Sequence, residues 1–174
     1  MSKRYTFTKS FKSELHAQLD SVEVRWIKEK QLPDTDINAP IDIIIMQDQK
    51  KWVLIELEIH RADPSNNIAK IAYWLSCPGK DYDITVIQVF SPHYNGKTGF
   101  KAKRKVSEHL GNLLVKEKYN QKYIPLSSTI MDKPDFERLY KSFRNGHSPD
   151  KKDIQTMRKM VKDYVTQILL HVKV

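Results

Sequence analysis

The chain has 174 residues, 30 Lys and Arg against 21 Asp and Glu, a formal net charge of +9 and one cysteine, Cys77. That length suits a single domain spanning residues 1–174, and one cysteine excludes an internal disulfide framework or a cysteine-rich zinc site. No run reaches the ~18–20 apolar residues of a membrane span and no apolar leader follows Met1, so the expectation is a cytoplasmic protein with no membrane association.

Between Thr8 and Asp20, Phe11, Leu15 and Leu19 recur at helical spacing, with Thr8 or Ser10 available as the cap and Glu14 at the edge of the apolar face. Val22, Val24 and Trp26 alternate with Glu23 and Arg25 as a half-buried strand, and Gln31 to Ala39 reads as a loop. Pro40 to Met46 is an apolar, β-branched run expected to be a buried strand, yet it holds an acid, Asp42. Beyond the polar turn Gln47-Asp48-Gln49-Lys50, the strand Trp52 to His60 has a period of two that sets Glu56, Glu58 and His60 on one face and Leu57 and Ile59 on the other.

Asp63-Pro64 opens a helix to about Ser76 with Ile68, Ile71, Ala72 and Leu75 inward, stopped by Pro78-Gly79. Asn66, Asn67, Lys70 and Tyr73 or Trp74 lie off that apolar face. Asp83 to Ser91 is a further buried strand. Asn95 to Lys105 reads as a Gly- and Lys-rich loop, followed by a helix to about Asn120 with Val106, Leu110, Leu113 and Leu114 inward. Tyr123 to Leu126 is a short edge strand. Met131 to Arg144 reads as a helix, and Ser148-Pro149-Asp150 opens a last one. The expected class is α/β: a central mixed sheet flanked by helices over about residues 8–126, with a helical C-terminal extension over about 131–174.

Buried acids require partners, and a divalent cation is one that several carboxylates can share. For Asp42 and Glu56 to share it, opposed residues of the hairpin must have numbers that sum to 98, which a three-residue turn Asp48-Gln49-Lys50 provides. A two-residue turn would put Asp42 on the wrong face unless a bulge corrected it.

An Asp on one strand, a hairpin partner carrying Glu-x-Glu, a preceding helix with a glutamate and a following helix and strand together resemble the PD-(D/E)xK nuclease superfamily, over about residues 10–91. The resemblance implies a restriction-endonuclease-like fold and a Mg²⁺-dependent DNA endonuclease of restriction or defence type, with Mn²⁺ as a substitute. By position it makes Glu14 the helix acid, Asp42 the motif Asp, Glu56 the second metal-binding carboxylate, and Glu58 the occupant of the usual Lys position, a variant that some restriction endonucleases carry. Asp42, Glu56 and Glu58 are then the metal ligands. Lys70 is the candidate for the displaced positive charge, and His60 shares the acid face.

Charge distribution agrees with a polyanionic partner, double-stranded DNA. Residues 1–96 hold 12 basic and 13 acidic side chains, residues 97–174 hold 18 and 8. Lys97, Lys101, Lys103, Arg104 and Lys105 are candidate phosphate contacts, and Asn67 and Lys70 candidates to orient the scissile phosphate. Cutting both strands requires two active sites, so a homodimer is expected. Ser91 to Thr98 stops one residue short of a phosphate-binding loop, so no nucleotide cofactor is expected. His16, His93, His109, His147 and His171 show no metal-ligand spacing. A nuclease-like DNA-binding or assembly module without catalysis is the alternative.

Overall fold

The hairpin that carries the acids is set by its turn. Asp48 Oδ1 accepts from the amides of Lys50 at 2.7 Å and Lys51 at 2.6 Å, and Gln47 N donates to Lys51 O at 2.9 Å, closing the three-residue loop. Those two amides hold the Asp48 carboxyl below its usual range. The resulting register pairs Ile43 with Ile55, Ile44 with Leu54, Ile45 with Val53 and Met46 with Trp52, each summing to 98 as the placement of Asp42 requires.

The computed structural model describes residues 6–22, 24–32, 40–60, 62–78, 82–96, 99–117, 121–143 and 149–172. Its strands are β1 (Trp26–Lys30), β2 (Ile41–Met46), β3 (Lys51–Glu58), β4 (Asp83–Phe90) and β5 (Lys122–Ser127). They form one mixed sheet in sequence order, antiparallel from β1 to β3 and parallel from β3 to β5. The helices are α1 (Phe7–Asp20), α2 (Ser65–Ser76), α3 (Gly99–Glu117), α4 (Lys133–Ser142) and α5 (Lys151–Leu169), with a 3₁₀ turn at Pro92–Tyr94. Among the described residues no helix is long and apolar enough to cross a membrane.

Residue parity sorts the core into two layers. Ile43, Ile45, Val53, Ile55, Leu57, Ile87 and Val89 pack with Phe7, Phe11, Leu15 and Leu19 of α1 and with Met157, Val161, Tyr164 and Ile168 of α5. Ile44, Leu54, Ile84 and Val86 pack instead with Ile68, Ile71, Trp74 and Leu75 of α2 and Leu114 of α3. Helices α2 and α3 are the β3–β4 and β4–β5 crossovers; two crossovers of the same hand, stepping in the same direction, cover the same face. Gly111 on α3 permits the close seat of Tyr123 on β5: a Cβ there would lie 2.4 Å from the Tyr123 ring.

Several boundaries depart from sequence expectation. Thr6, not Thr8 or Ser10, caps α1, accepting from Lys9 N at 3.4 Å. The first strand starts at Trp26, with Val22 and Val24 packed against the core before it. Residues 101–105 lie in the first turns of α3, not a loop, because Gly99 starts that helix. Val106 and Leu113 are exposed rather than inward; the buried stripe runs through Ser107, Gly111 and Leu114, and Ser107 is turned in by hydrogen bonds to Gln88 and Pro64. Trp74 is fully buried, stacked at 6.2 Å from Trp52.

Candidate active site

Asp42, Glu56, Glu58 and Gln88 have the same parity as Ile44 and Leu54, so they extend the sheet face beneath α2 and α3. The β2–β3 ladder runs to the Ile43–Ile55 pair. Just beyond it, the Leu57 amide donates to Asp42 Oδ2 at 2.9 Å. Asp42 thus sits at the mouth between two strands.

Three carboxylates buried at 6% (Asp42), 0% (Glu56) and 0% (Glu58) exposure must each be compensated. Lys12 of α1 donates to Asp42 Oδ1 at 2.6 Å. Lys70 of α2 pairs with Glu56 Oε1 at 2.7 Å and also donates to Pro40 O at 2.8 Å. Glu58 Oε1 accepts from Asn67 Nδ2 at 2.6 Å and Gln88 Nε2 at 2.9 Å. Gln88 is itself fixed, with Nε2 donating to Pro64 O at 2.9 Å and Oε1 accepting from Ser107 Oγ and Tyr123 OH, both at 2.8 Å. Glu56 Oε2 is buried with no hydrogen-bond partner among the described residues.

Electrostatics concentrate on Glu56. Burial pushes its carboxyl up to about 8; Lys70 opposes that rise, and Asp42 and Glu58 add to it. The ammonium therefore offsets only a fraction of the desolvation cost. Such a carboxyl is largely protonated at neutral pH until a cation displaces the proton.

Of the remaining expected residues, Glu14 lies elsewhere. It accepts from Gln18 at 3.0 Å and from Arg158 of α5 at 3.1 Å, since positions 12 and 14 leave α1 in different directions and Lys12 takes the one toward Asp42. His60 also leaves the acid face: β3 ends at Glu58, and the exposed His60 ring stacks on Tyr140 of α4 at 4.5 Å. Asn67 is buried on Glu58, not displayed at the surface.

Lys101, Lys103 and Lys105 are exposed on the first turns of α3, and Lys103 donates to Ala62 O at 2.6 Å, tethering that turn to the β3–α2 loop beside the acids. Arg104 has structural partners instead. It pairs with Glu108 at 2.7 Å, donates to Asn95 Oδ1 at 2.9 Å and lies 4.7 Å above the Phe90 ring. Lys97 lies outside the described residues.

Sequence reasoning missed Lys12 and Gln88. No spacing links Lys12 to an acid 30 residues on, and Gln88 reads as an ordinary strand residue until β4 pairs in parallel with β3 and sets it opposite Glu56. It also missed a second cluster. His60, His93 and Glu137 are a group of three among the described residues whose ligand atoms all lie within 4.8 Å of one another. Burial pushes the His93 imidazole below its usual range, against the raising effect of Glu137.

No protein-family model, curated protein or solved structure matches this chain.

Proposed function

We propose that the chain is a Mg²⁺-dependent endonuclease of restriction-endonuclease-like fold that hydrolyses phosphodiester bonds in double-stranded DNA. The observation that carries this reading is the buried Glu56 Oε2 with no hydrogen-bond partner among the described residues, beside Asp42 and next to Glu58 on the same face. Hard oxygen donors of that kind suit Mg²⁺ or Mn²⁺. Asp42 and Glu56 would hold the ion, with Glu58 beside them, and a bound Mg²⁺ supplies a water of lowered pKa and charge neutralisation at the phosphate.

The chain's own residues supply the rest. Asn67 and Gln88 hold Glu58 in one orientation, where its carboxylate accepts the proton released by the attacking water. Lys70, anchored by Pro40 O, faces the charge that grows on the phosphate oxygens and stands in for the lysine missing at position 58. The basic first turns of α3 contact the DNA backbone. A twofold dimer gives each strand its own site.

The test is nicking of supercoiled plasmid by the full chain in Mg²⁺ or Mn²⁺, with EDTA as the control. A specific observation favours the non-catalytic module as the second reading: Lys12 and Lys70 already pair with Asp42 and Glu56, occupying the positions a cation would take. Duplex binding without any metal-dependent nicking would leave that reading standing.

Two further outcomes follow. Glu14→Gln is expected to leave cleavage within about twofold and to cost less than about 1 kcal/mol, because its Arg158 partner is 60% exposed. A tenfold fall in rate would restore Glu14 to the site. Lys101→Ala combined with Lys105→Ala is expected to weaken binding to all duplex sequences alike and to flatten the salt dependence by about one logarithmic unit per phosphate contact removed. Fluorescence anisotropy across a salt series measures this, and an unchanged slope would remove those lysines from the interface.

A further inference from the structure

We infer that His60 and His93, with Glu137 holding His93 in orientation, form a second metal site, for a borderline transition-metal dication such as Zn²⁺, separate from the carboxylate site. Three elements distant in sequence supply the groups: the segment leaving β3, the 3₁₀ turn after β4, and α4. Their ligand atoms all lie within 4.8 Å of one another. A tetrahedral zinc with bonds of ~2.0–2.1 Å has edges of ~3.3 Å, so an approach of the two histidine nitrogens by about 1.5 Å or less would let both bind one ion, with water completing its shell.

The hydrogen bonding of His93 points to a missing ligand. Its Nδ1 lies 2.5 Å from Glu137 Oε1, and a carboxylate can only accept there, so that nitrogen carries the proton and Nε2 keeps its lone pair. Nε2 is buried with no hydrogen-bond partner among the described residues, and His93 is only 4% exposed. A histidine held by a carboxylate through one ring nitrogen is the arrangement in which the other nitrogen takes a metal. The His60 ring lies 3.8 Å from that of His93 and is exposed, which gives an ion a route in and leaves a position for water.

The two imidazoles select against Mg²⁺ and for Zn²⁺ or its neighbours. Phe100, 4.1 Å from the His93 ring, and Tyr140, stacked on His60, exclude water from the flanks. The Lys133 charge bears on His93 and opposes a dication, which limits affinity. A bound ion would tie α4 and the 3₁₀ turn to the chain two residues beyond Glu58.

The experiment is calorimetric titration of the chelator-stripped full chain with Zn²⁺, in wild type and in Glu56→Gln, which removes the carboxylate site without changing side-chain volume. One equivalent is expected to survive in Glu56→Gln. Adding His60→Ala, an exposed position whose loss leaves the core intact, is expected to weaken that equivalent at least tenfold, and Glu137→Gln by ten- to hundredfold. Co²⁺ loaded at this site should give the visible spectrum of a tetrahedral centre with nitrogen ligands. No zinc binding in Glu56→Gln, or an affinity untouched by both His60→Ala and Glu137→Gln, overturns the assignment. Either result leaves the nuclease reading unaffected.

Discussion

Glu56→Gln is expected to lower Mg²⁺-dependent cleavage by about a thousandfold or more while making the metal-free protein more stable at alkaline pH. Several kcal/mol of charge stabilisation, at 1.36 kcal/mol per factor of ten, sets the first figure. The second comes from proton linkage. The Glu56 carboxyl is raised from 4.5 to about 8 by burial, so between those pH values the folded protein holds a proton that the unfolded chain has released. Stability of the metal-free wild type should therefore fall as pH rises through that window and level off above it, by an amount on the order of a few kcal/mol. Glutamine cannot ionise, so that contribution to the pH slope vanishes in the variant.

Mg²⁺ affinity has the opposite trend. The ion displaces the proton, so affinity should rise from pH 6 toward pH 9 in wild type and stay low and flat in Glu56→Gln. Urea unfolding at a series of pH values, with and without Mg²⁺, reads both effects. Parallel pH profiles for wild type and variant would mean that Glu56 does not carry the raised ionisation, and the cation argument would lose its main support.

Lys70→Met is expected to reduce kcat by about 10²–10³ at saturating Mg²⁺, with Lys70→Arg retaining a fraction of the lost rate. The ammonium is held on Glu56 at 2.7 Å and on Pro40 O at 2.8 Å, which preorganises it at the mouth of the hairpin. Its removal also strips Glu56 of the main group that opposes the rise of its carboxyl, so the proton competes harder with the metal. The assay is therefore run at pH 9 and high Mg²⁺, where that competition is suppressed. If raising Mg²⁺ restores the full rate, Lys70 does no more than tune the charge of Glu56. A persistent loss in kcat assigns it to charge developing on the phosphate.

The two effects should also be coupled. Once Glu56 is ionised, above about pH 8, it and Lys70 form one ion pair between β3 and α2, so their effects on stability at pH 9 should fall short of additive in the double variant. Breaking a buried pair strands one charge, whereas removing both partners leaves none. Asp42 and Lys12 form the parallel pair on the other strand, with Lys12 at 23% side-chain exposure, and solvent near that ammonium screens it.

Local chemistry alone determined much of this protein. The β-branched run around Asp42, the Asp48 turn and the period-two pattern of Trp52 to Glu58 specified the hairpin and its register, because turn length and side-chain parity leave one solution when both faces are buried. The spacing of Phe11, Leu15 and Leu19, and the start at Pro64, likewise specified α1 and α2 to within a few residues. Tertiary structure decided everything that depends on which distant groups meet. Lys12 reaches Asp42, Glu14 is drawn off by Arg158, Gln88 clamps Glu58, and His60 turns away to His93 and Glu137. The physical reason is range: backbone periodicity states which face a side chain takes, while a partner across the sheet is chosen by crossover helices and strand pairing that no local pattern encodes.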